Sequence, residues 1–285
     1  MATKFTDEHM EQYERDGYTI LRRLIPVSLL RELREMAAIG YAIAQREIGP
    51  QAQRLKPIVD YLDCAPYYAF CELPELREAL RGLVGLESVV GIPPGDGERL
   101  SASILYQPSA SPHCTTWHRD WRDNGPGIDI NVWRKRQSER ALFNQMNCAL
   151  YEDGCTYAVP GSHARDDTDA EIELFPMRPI VGVDVSDMDA CEAELACLSY
   201  VQSMPGAVQL MLFPGDCMIY RNSLWHIGTY APYRKRATLH DYIWTQEYYE
   251  WCQKPPQRPD GLKTMMNPHE DSPSYCNWVA ERDGA

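Results

Sequence analysis

From residue 100 onward the chain is punctuated by Gly, Pro, Asn and Asp into short runs of strand length. Runs at 100–107, 141–151, 157–159, 208–213, 217–221 and 236–244 carry that texture. Short strands separated by turn residues point to an all-β sandwich or barrel rather than to βαβ units. Pro214-Gly215 fits the centre of a type II turn, so the runs on either side of it are expected to form a hairpin.

The first third is different. Thr6 can cap a helix over 7–15, with acidic residues in its first turn and Gly17 just past its end. Residues 18–21 read as a short strand. Ser28 is placed to cap a longer helix, in which Leu29, Leu30, Leu33, Met36, Ala37 and Tyr41 recur at three- and four-residue spacing. Pro74 suits the first turn of a third helix and Gly85 its stop. The segment 165–205 is long, acidic and without repeat, which suggests a lid or a mobile segment. One domain over 1–285 is therefore expected, with a mostly helical part at 1–98 and a β core at 99–252 holding the 165–205 insertion. An irregular tail follows at 253–285.

Composition removes several classes. Lys and Arg number 28 against 41 Asp and Glu, a formal net charge of -13 that disfavours a polyanionic partner such as nucleic acid. The basic run Arg134, Lys135 and Arg136, with Arg140 nearby, reads as a solvated turn, with an anionic substrate contact as the alternative. No apolar run approaches the roughly 18 residues of a membrane span. The start of the chain shows no signal peptide, and the ten cysteines form no regular framework. Reduced thiols and a cytoplasmic protein are expected.

The chemistry concentrates in His118-Arg119-Asp120, His226 and Arg236. In an extended segment residues two apart point the same way, so His118 and Asp120 share a side and Arg119 points oppositely. Two imidazoles and a carboxylate on one face, with open positions beyond, are what a ferrous ion in an oxygenase takes. His226 follows the 217–221 run, Gly228 and Pro232 mark a turn, and Arg236 opens the next strand. Its planar fork can hold a carboxylate in bidentate fashion; Arg234 competes for that role but lies in the turn. Thr238, His240 and Tyr242 fall on the Arg236 face. Gln107, Gln145 and Asn147 are strand-borne amides, either satisfied by neighbours or turned inward on a ligand. His113 with Cys114 and Cys148 lacks the Cys-X-X-Cys pairing of a zinc site. His118-Arg119-Asp120 also mimics a kinase triplet, but Gly125 stands where a metal-binding Asn is needed. Trp117, Trp121 and Trp133 read as core or pocket wall rather than as a base-stacking platform.

Several motifs in chain order resemble the phytanoyl-CoA dioxygenase family of iron- and 2-oxoglutarate-dependent oxygenases. They are Asp16-Gly17-Tyr18 after the opening helix, Thr116-Trp117-His118-Arg119-Asp120-Trp121, Ala149-Leu150, Gly154-Cys155 and Val159-Pro160-Gly161-Ser162-His163, then Pro214-Gly215-Asp216, His226 and Arg236. The resemblance implies a mainly β fold with helices: a double-stranded β-helix, a cupin-like jelly roll, with N-terminal helices packed outside. It implies His118, Asp120 and His226 as catalytic ligands of Fe(II), and Arg236 on the 2-oxoglutarate. Thr229, Gln145 and Asn147 are expected to assist Arg236, while Gln107, Trp121, Arg119, His163 and His240 are expected to face a small-molecule substrate. With O2 as the third reactant, the implied reaction hydroxylates, desaturates or oxidatively cyclises that substrate and releases succinate and CO2. A secondary-metabolite step, in antibiotic biosynthesis or on a glycoside, fits best. Related halogenases replace the carboxylate at position 120 with a small residue, so Asp120 argues against halogenation. Two other readings stay open: a redox-inactive metal enzyme on the same fold, such as an isomerase or lyase, and a binding module without activity. So does the choice between monomer and homodimer. The chain departs from the family in a shorter connection between Ala149-Leu150 and Gly154-Cys155, and in the 165–205 insertion.

Overall fold

Thr6, in extended conformation, caps α1 (Asp7–Asp16) through a capping box, and Gly17 ends it in the left-handed region at φ 83°. β1 (Tyr18–Leu21) follows directly. In the computed structural model, which describes residues 4–95, 101–125, 127–176 and 180–257, α2 spans Val27–Glu47. Its N-cap is Pro26 rather than Ser28, which falls inside the first turn. The expected periodic face of α2 is buried, including Leu29, Leu33, Met36 and Ala37. After β2 (Arg54–Leu55) come α3 (Ala65–Cys71), which the sequence reading did not anticipate, and α4 (Pro74–Leu83), opened by its proline.

The β core then runs β3 (Ser103–Tyr106), β4 (His113–Cys114), α5 (Ile130–Arg136), β5 (Asn144–Ala149) and β6 (Asp153–Ala158). It continues with α6 (Asp169–Leu174), α7 (Ala190–Gln202), β7 (Val208–Leu212), β8 (Cys217–Arg221), β9 (His226–Tyr230), β10 (Ala237–Tyr242) and α8 (Gln246–Gln253). Two antiparallel sheets result, a larger one in the order β1-β8-β5-β10-β3-β2 and a smaller one in the order β4-β9-β6-β7. This is the expected jelly roll, with the N-terminal helices on the outer face of the larger sheet. Pro214-Gly215 does form its turn, with Gly215 at φ 90° and the Asp216 N–H donating to Phe213 O at 2.9 Å. The hairpin is not formed, because β7 and β8 belong to different sheets and the turn carries the chain between them.

The larger sheet is buried on both faces, and its alternation separates two environments. Met146 and Cys148 of β5, Cys217 and Ile219 of β8, and Ala237 and Leu239 of β10 pack under the helices with Leu33 and Leu80. Their neighbours of opposite parity, Gln145, Asn147, Tyr220 and His240, face the smaller sheet and line a cavity. Polar residues thus sit at alternate positions of strands that never reach solvent. Cys148 and Cys217, register partners on β5 and β8, are joined in a disulfide, against the expectation that every cysteine is reduced.

The 165–205 insertion is not a structureless lid. Thr168 and Asp189 cap α6 and α7 through capping boxes with Glu171 and Glu192. Phe175, Ile180, Val201 and Met204 pack with Trp117, Trp225 and Ile227 on the outer face of the smaller sheet. The basic run is helical rather than a turn: Arg134 and Arg136 lie in the last turn of α5, where Arg134 pairs with Asp166 and Arg136 with Glu139 and Glu247. Most of the 253–285 tail, with His269, lies outside the described residues, as does residue 100, the first of the predicted 100–107 run. Among the described residues no helix is long and apolar enough to cross a membrane.

Candidate metal centre

His118 and His226 face each other across an antiparallel bridge, each N–H donating to the other's carbonyl at 3.1 and 3.0 Å. Their rings lie 4.2 Å apart, centroid to centroid. The Nδ1 of His118 is 2.8 Å from Thr116 O, and the Nδ1 of His226 is 2.8 Å from Leu224 O. A carbonyl accepts only, so each ring carries its proton on Nδ1 and leaves Nε2 as a lone-pair donor.

Asp120 is held from several sides. Its N–H donates to Asn222 O at 2.8 Å, and its own carbonyl accepts from Trp133 Nε1 at 3.1 Å. Oδ1 accepts from Asn124 Nδ2 and Oδ2 from Gln145 Nε2, both at 2.8 Å. Gln145 is in turn fixed by Tyr220, whose hydroxyl donates to Oε1 at 2.6 Å. One ligand atom each from His118, Asp120 and His226 lies within 4.8 Å of the others, and among the described residues they are the one group of three so placed.

Electrostatics prepares the set for a cation. Burial alone would raise the Asp120 carboxyl, but the neighbouring His118 and His226 and the Asn124 amide hold it well below the usual carboxylate range. Burial, then repulsion from His118, lowers His226 to about 4. A neutral imidazole and an ionised carboxylate at neutral pH are the forms that bind metal. Nitrogen, nitrogen and oxygen on one side, with space opposite, fit a divalent first-row ion with open positions.

That space is a cavity of about 170 Å³ between the two sheets, lined from the larger by Arg54, Gln145, Asn147, Tyr220, Arg236, His240 and Tyr242 and from the smaller by Thr156, His226 and Tyr230. Arg236 is 3% exposed. Its Nε donates to Asp153 Oδ2 at 2.9 Å, an oxygen that also accepts from Thr238 Oγ1 at 2.6 Å. Its guanidinium carbon stands 5.0 Å from the centre of the Tyr230 ring. Nη1 is buried with no acceptor among the described residues, an orphaned donor suited to an anionic ligand. Arg234, the competing arginine, is exposed in the preceding turn.

The other sequence-predicted residues divide. Gln145, Asn147 and His240 line the cavity, with His240 Nδ1 2.8 Å from Asn147 Oδ1. Thr229 does not: on β9 it has the opposite parity to His226, Gly228 and Tyr230. Gln107 is spent on the backbone, accepting from the Arg236 N–H at 2.6 Å. Trp121, with φ 68°, turns into the aromatic cluster of Trp133, Phe143 and Trp251 and donates from Nε1 to Tyr248. Arg119 points away from the metal side, as its parity requires. It braces the far loops by donating to Ser162 O at 2.6 Å and Arg165 O at 3.0 Å, and it pairs with Asp167. His163 packs against the end of α1, where a Cβ on Gly17 would lie 2.5 Å from its Nδ1. These five are therefore removed from the cavity wall. The sequence reading missed Asn124, Asp153, Tyr220 and Arg54; for Asn124 the signal was its position four residues after Asp120, within reach of a short turn.

No family profile and no curated protein matches the chain. Solved structures do. AviO1 from Streptomyces viridochromogenes Tue57 is 16% identical with a TM-score of 0.55, over 90% of this chain and 100% of that one. SnoK, a non-haem alpha-ketoglutarate-dependent carbocyclase from nogalamycin biosynthesis, is 16% identical with a TM-score of 0.51, over 90% and 93%. The epimerase SnoN, solved with Fe3+, alpha-ketoglutarate and nogalamycin RO, is 16% identical with a TM-score of 0.51, over 83% and 82%. The chain shares their fold.

Proposed function

We propose that this chain is an iron(II)- and 2-oxoglutarate-dependent oxygenase that hydroxylates, desaturates or oxidatively cyclises a small organic molecule in a secondary-metabolite tailoring step. The observation that carries the reading is one cavity holding both the His118, Asp120 and His226 set and a buried arginine with an unsatisfied Nη1. The sequence motifs around these residues support a place near the phytanoyl-CoA dioxygenases. The fold shared with SnoK and SnoN supports the tailoring role.

In this reading His118, Asp120 and His226 would hold the iron. With 2-oxoglutarate and dioxygen, bound iron supplies an oxidant strong enough to take hydrogen from carbon, with succinate and CO2 released. Arg236 receives the far carboxylate of the keto acid through Nη1, while Nε stays on Asp153. Gln145 and Tyr220 keep the Asp120 carboxylate aimed at the metal. As a metal ligand Asp120 would occupy the place a halide would need. Anaerobic protein given Fe(II), 2-oxoglutarate and candidate metabolites, then air, should form succinate, and Arg236→Leu should abolish it.

One observation favours a second reading, a redox-inactive metal isomerase or lyase: Asp153 already neutralises Arg236 without any ligand. Such an enzyme would turn over without dioxygen and would survive Arg236→Leu apart from lost stability.

A further inference from the structure

The cavity holds a second arginine for which the proposed chemistry has no use. Arg54 lies on the edge strand β2, in register with Leu105 of β3, which pairs with Thr238 of β10. Two strand spacings, about 10 Å, therefore separate the Arg54 backbone from the strand carrying Thr238, next to Arg236. Its Nε donates to Ser103 Oγ at 3.0 Å, and Ser103 is itself anchored on His240 O at 3.0 Å. That anchor orients the guanidinium and leaves both Nη groups without a protein acceptor among the described residues.

Most of the other arginines that are not fully exposed differ from it chemically; Arg221 and Arg34 also lack a carboxylate among the described residues, but each lies over a tyrosine ring, Tyr13 and Tyr151, and donates to a backbone carbonyl. In a chain of net charge -13, Arg22, Arg119, Arg122, Arg136, Arg165 and Arg236 each sit within ion-pair distance of a carboxylate. No carboxylate among the described residues pairs with Arg54, although it is only half-exposed and lines the wall of the metal cavity. Lys56 follows two residues later, its Nζ 5.5 Å from the centre of the ring of Tyr242, a residue of the cavity wall. Burial above all, then repulsion from Arg54, brings the Lys56 ammonium down to about 7, against the opposing pull of Asp241. A guanidinium on a cavity wall without a protein counter-ion is free to take an anionic ligand.

Building on the oxygenase reading, we propose that Arg54, with Lys56 beside it, receives a carboxylate of the substrate, so that the molecule oxidised is a small organic acid. The two Nη groups match the two oxygens of a carboxylate, and Arg236 stays reserved for the cosubstrate at the other side of the cavity.

The test uses the full chain, loaded with Fe(II) and saturated with 2-oxoglutarate in the absence of dioxygen. Calorimetry compares benzoate, phenylacetate and 3-phenylpropionate, each against its primary amide. At least one acid should bind tenfold or more tightly than its amide. Arg54→Gln should erase that preference while leaving 2-oxoglutarate affinity within threefold, and Arg54→Lys, which keeps the charge, should retain part of it. Equal binding of every acid and its amide overturns the proposal, as does an acid preference that survives in Arg54→Gln. It is also overturned if Arg54→Gln weakens 2-oxoglutarate tenfold and Arg236→Gln does not, which would make Arg54 the cosubstrate's anchor. Failure of the wild type to bind 2-oxoglutarate would defeat the oxygenase reading instead; the acid-against-amide comparison, run on iron-loaded protein alone, would still decide the role of Arg54.

Discussion

Replacing Asp153 with Asn removes the charge opposite Arg236 at almost constant volume. Both partners are nearly sealed from solvent, with side chains 2% and 3% exposed and 2.9 Å between Nε and Oδ2. Taking one partner from a buried pair costs about 3–5 kcal/mol, since the remaining charge is left uncompensated. The Asn can keep one oxygen on the Cys155 N–H, which now donates to Oδ1 at 2.9 Å. Its amide nitrogen must then face the Arg236 Nε, donor against donor. Thr238 can turn its hydroxyl to accept from that amide, which recovers about 1 kcal/mol. A net loss of about 2–4 kcal/mol is expected, read as a lower urea midpoint at unchanged slope. Burial pushes the Asp153 carboxyl up, but Arg236 and Thr238 hold it below its ordinary value. Its stabilisation is therefore present above the unfolded value of about 3.9 and disappears as pH falls through the folded value, so the gap to the variant should close in acid. Fe(II) with 2-oxoglutarate should stabilise Asp153→Asn more than the wild type, because the cosubstrate carboxylate replaces the missing charge. A loss under about 1 kcal/mol at pH 7 would refute the buried-pair argument. Equal protection of both proteins by 2-oxoglutarate would refute Arg236 as its anchor.

Gln145→Leu takes the amide from Asp120 Oδ2 and leaves the Tyr220 hydroxyl without its acceptor. Iron affinity, measured by anaerobic titration, should fall about 10–100-fold, the usual cost of losing a group that orients a metal ligand. Lys56 titrates near 7 in the folded chain, so above that pH the unfolded state binds more protons and stability should rise toward about pH 10. Chemical denaturation should show the wild type gaining on Lys56→Gln over that window, by at most about 1.4 kcal/mol per pH unit. A gap that stays flat would mean that Lys56 is well solvated.

What the sequence disclosed and what it hid have physical reasons. α1 and α4 carry their own stop and start residues, and α2 its periodic face, so local rules sufficed there. His118 and Asp120 converge because parity along an extended chain is rigid, and His240 and Tyr242 join Arg236 on the cavity wall for the same reason. The pairing across Pro214-Gly215 was not legible, since a type II turn closes a hairpin or links two sheets with the same residues. β9 was hidden because Gly228, inside a strand, reads as a turn. The helices of the insertion did leave a signal, Thr168 with Glu171 and Asp189 with Glu192, which the length and acidity of the segment outweighed. The substrate-facing set was the weakest part. A polar residue such as Arg119 or Gln107 has the same sequence signature whether it holds a ligand or ties down the backbone.

Anaerobic titration with Fe(II) puts the convergence of His118, Asp120 and His226 to the most direct test. One ion per chain should bind to the wild type, and His226→Ala and Asp120→Ala should each lose that ion while keeping the wild-type circular dichroism. Undiminished iron binding in either folded variant would place the metal elsewhere and contradict the account.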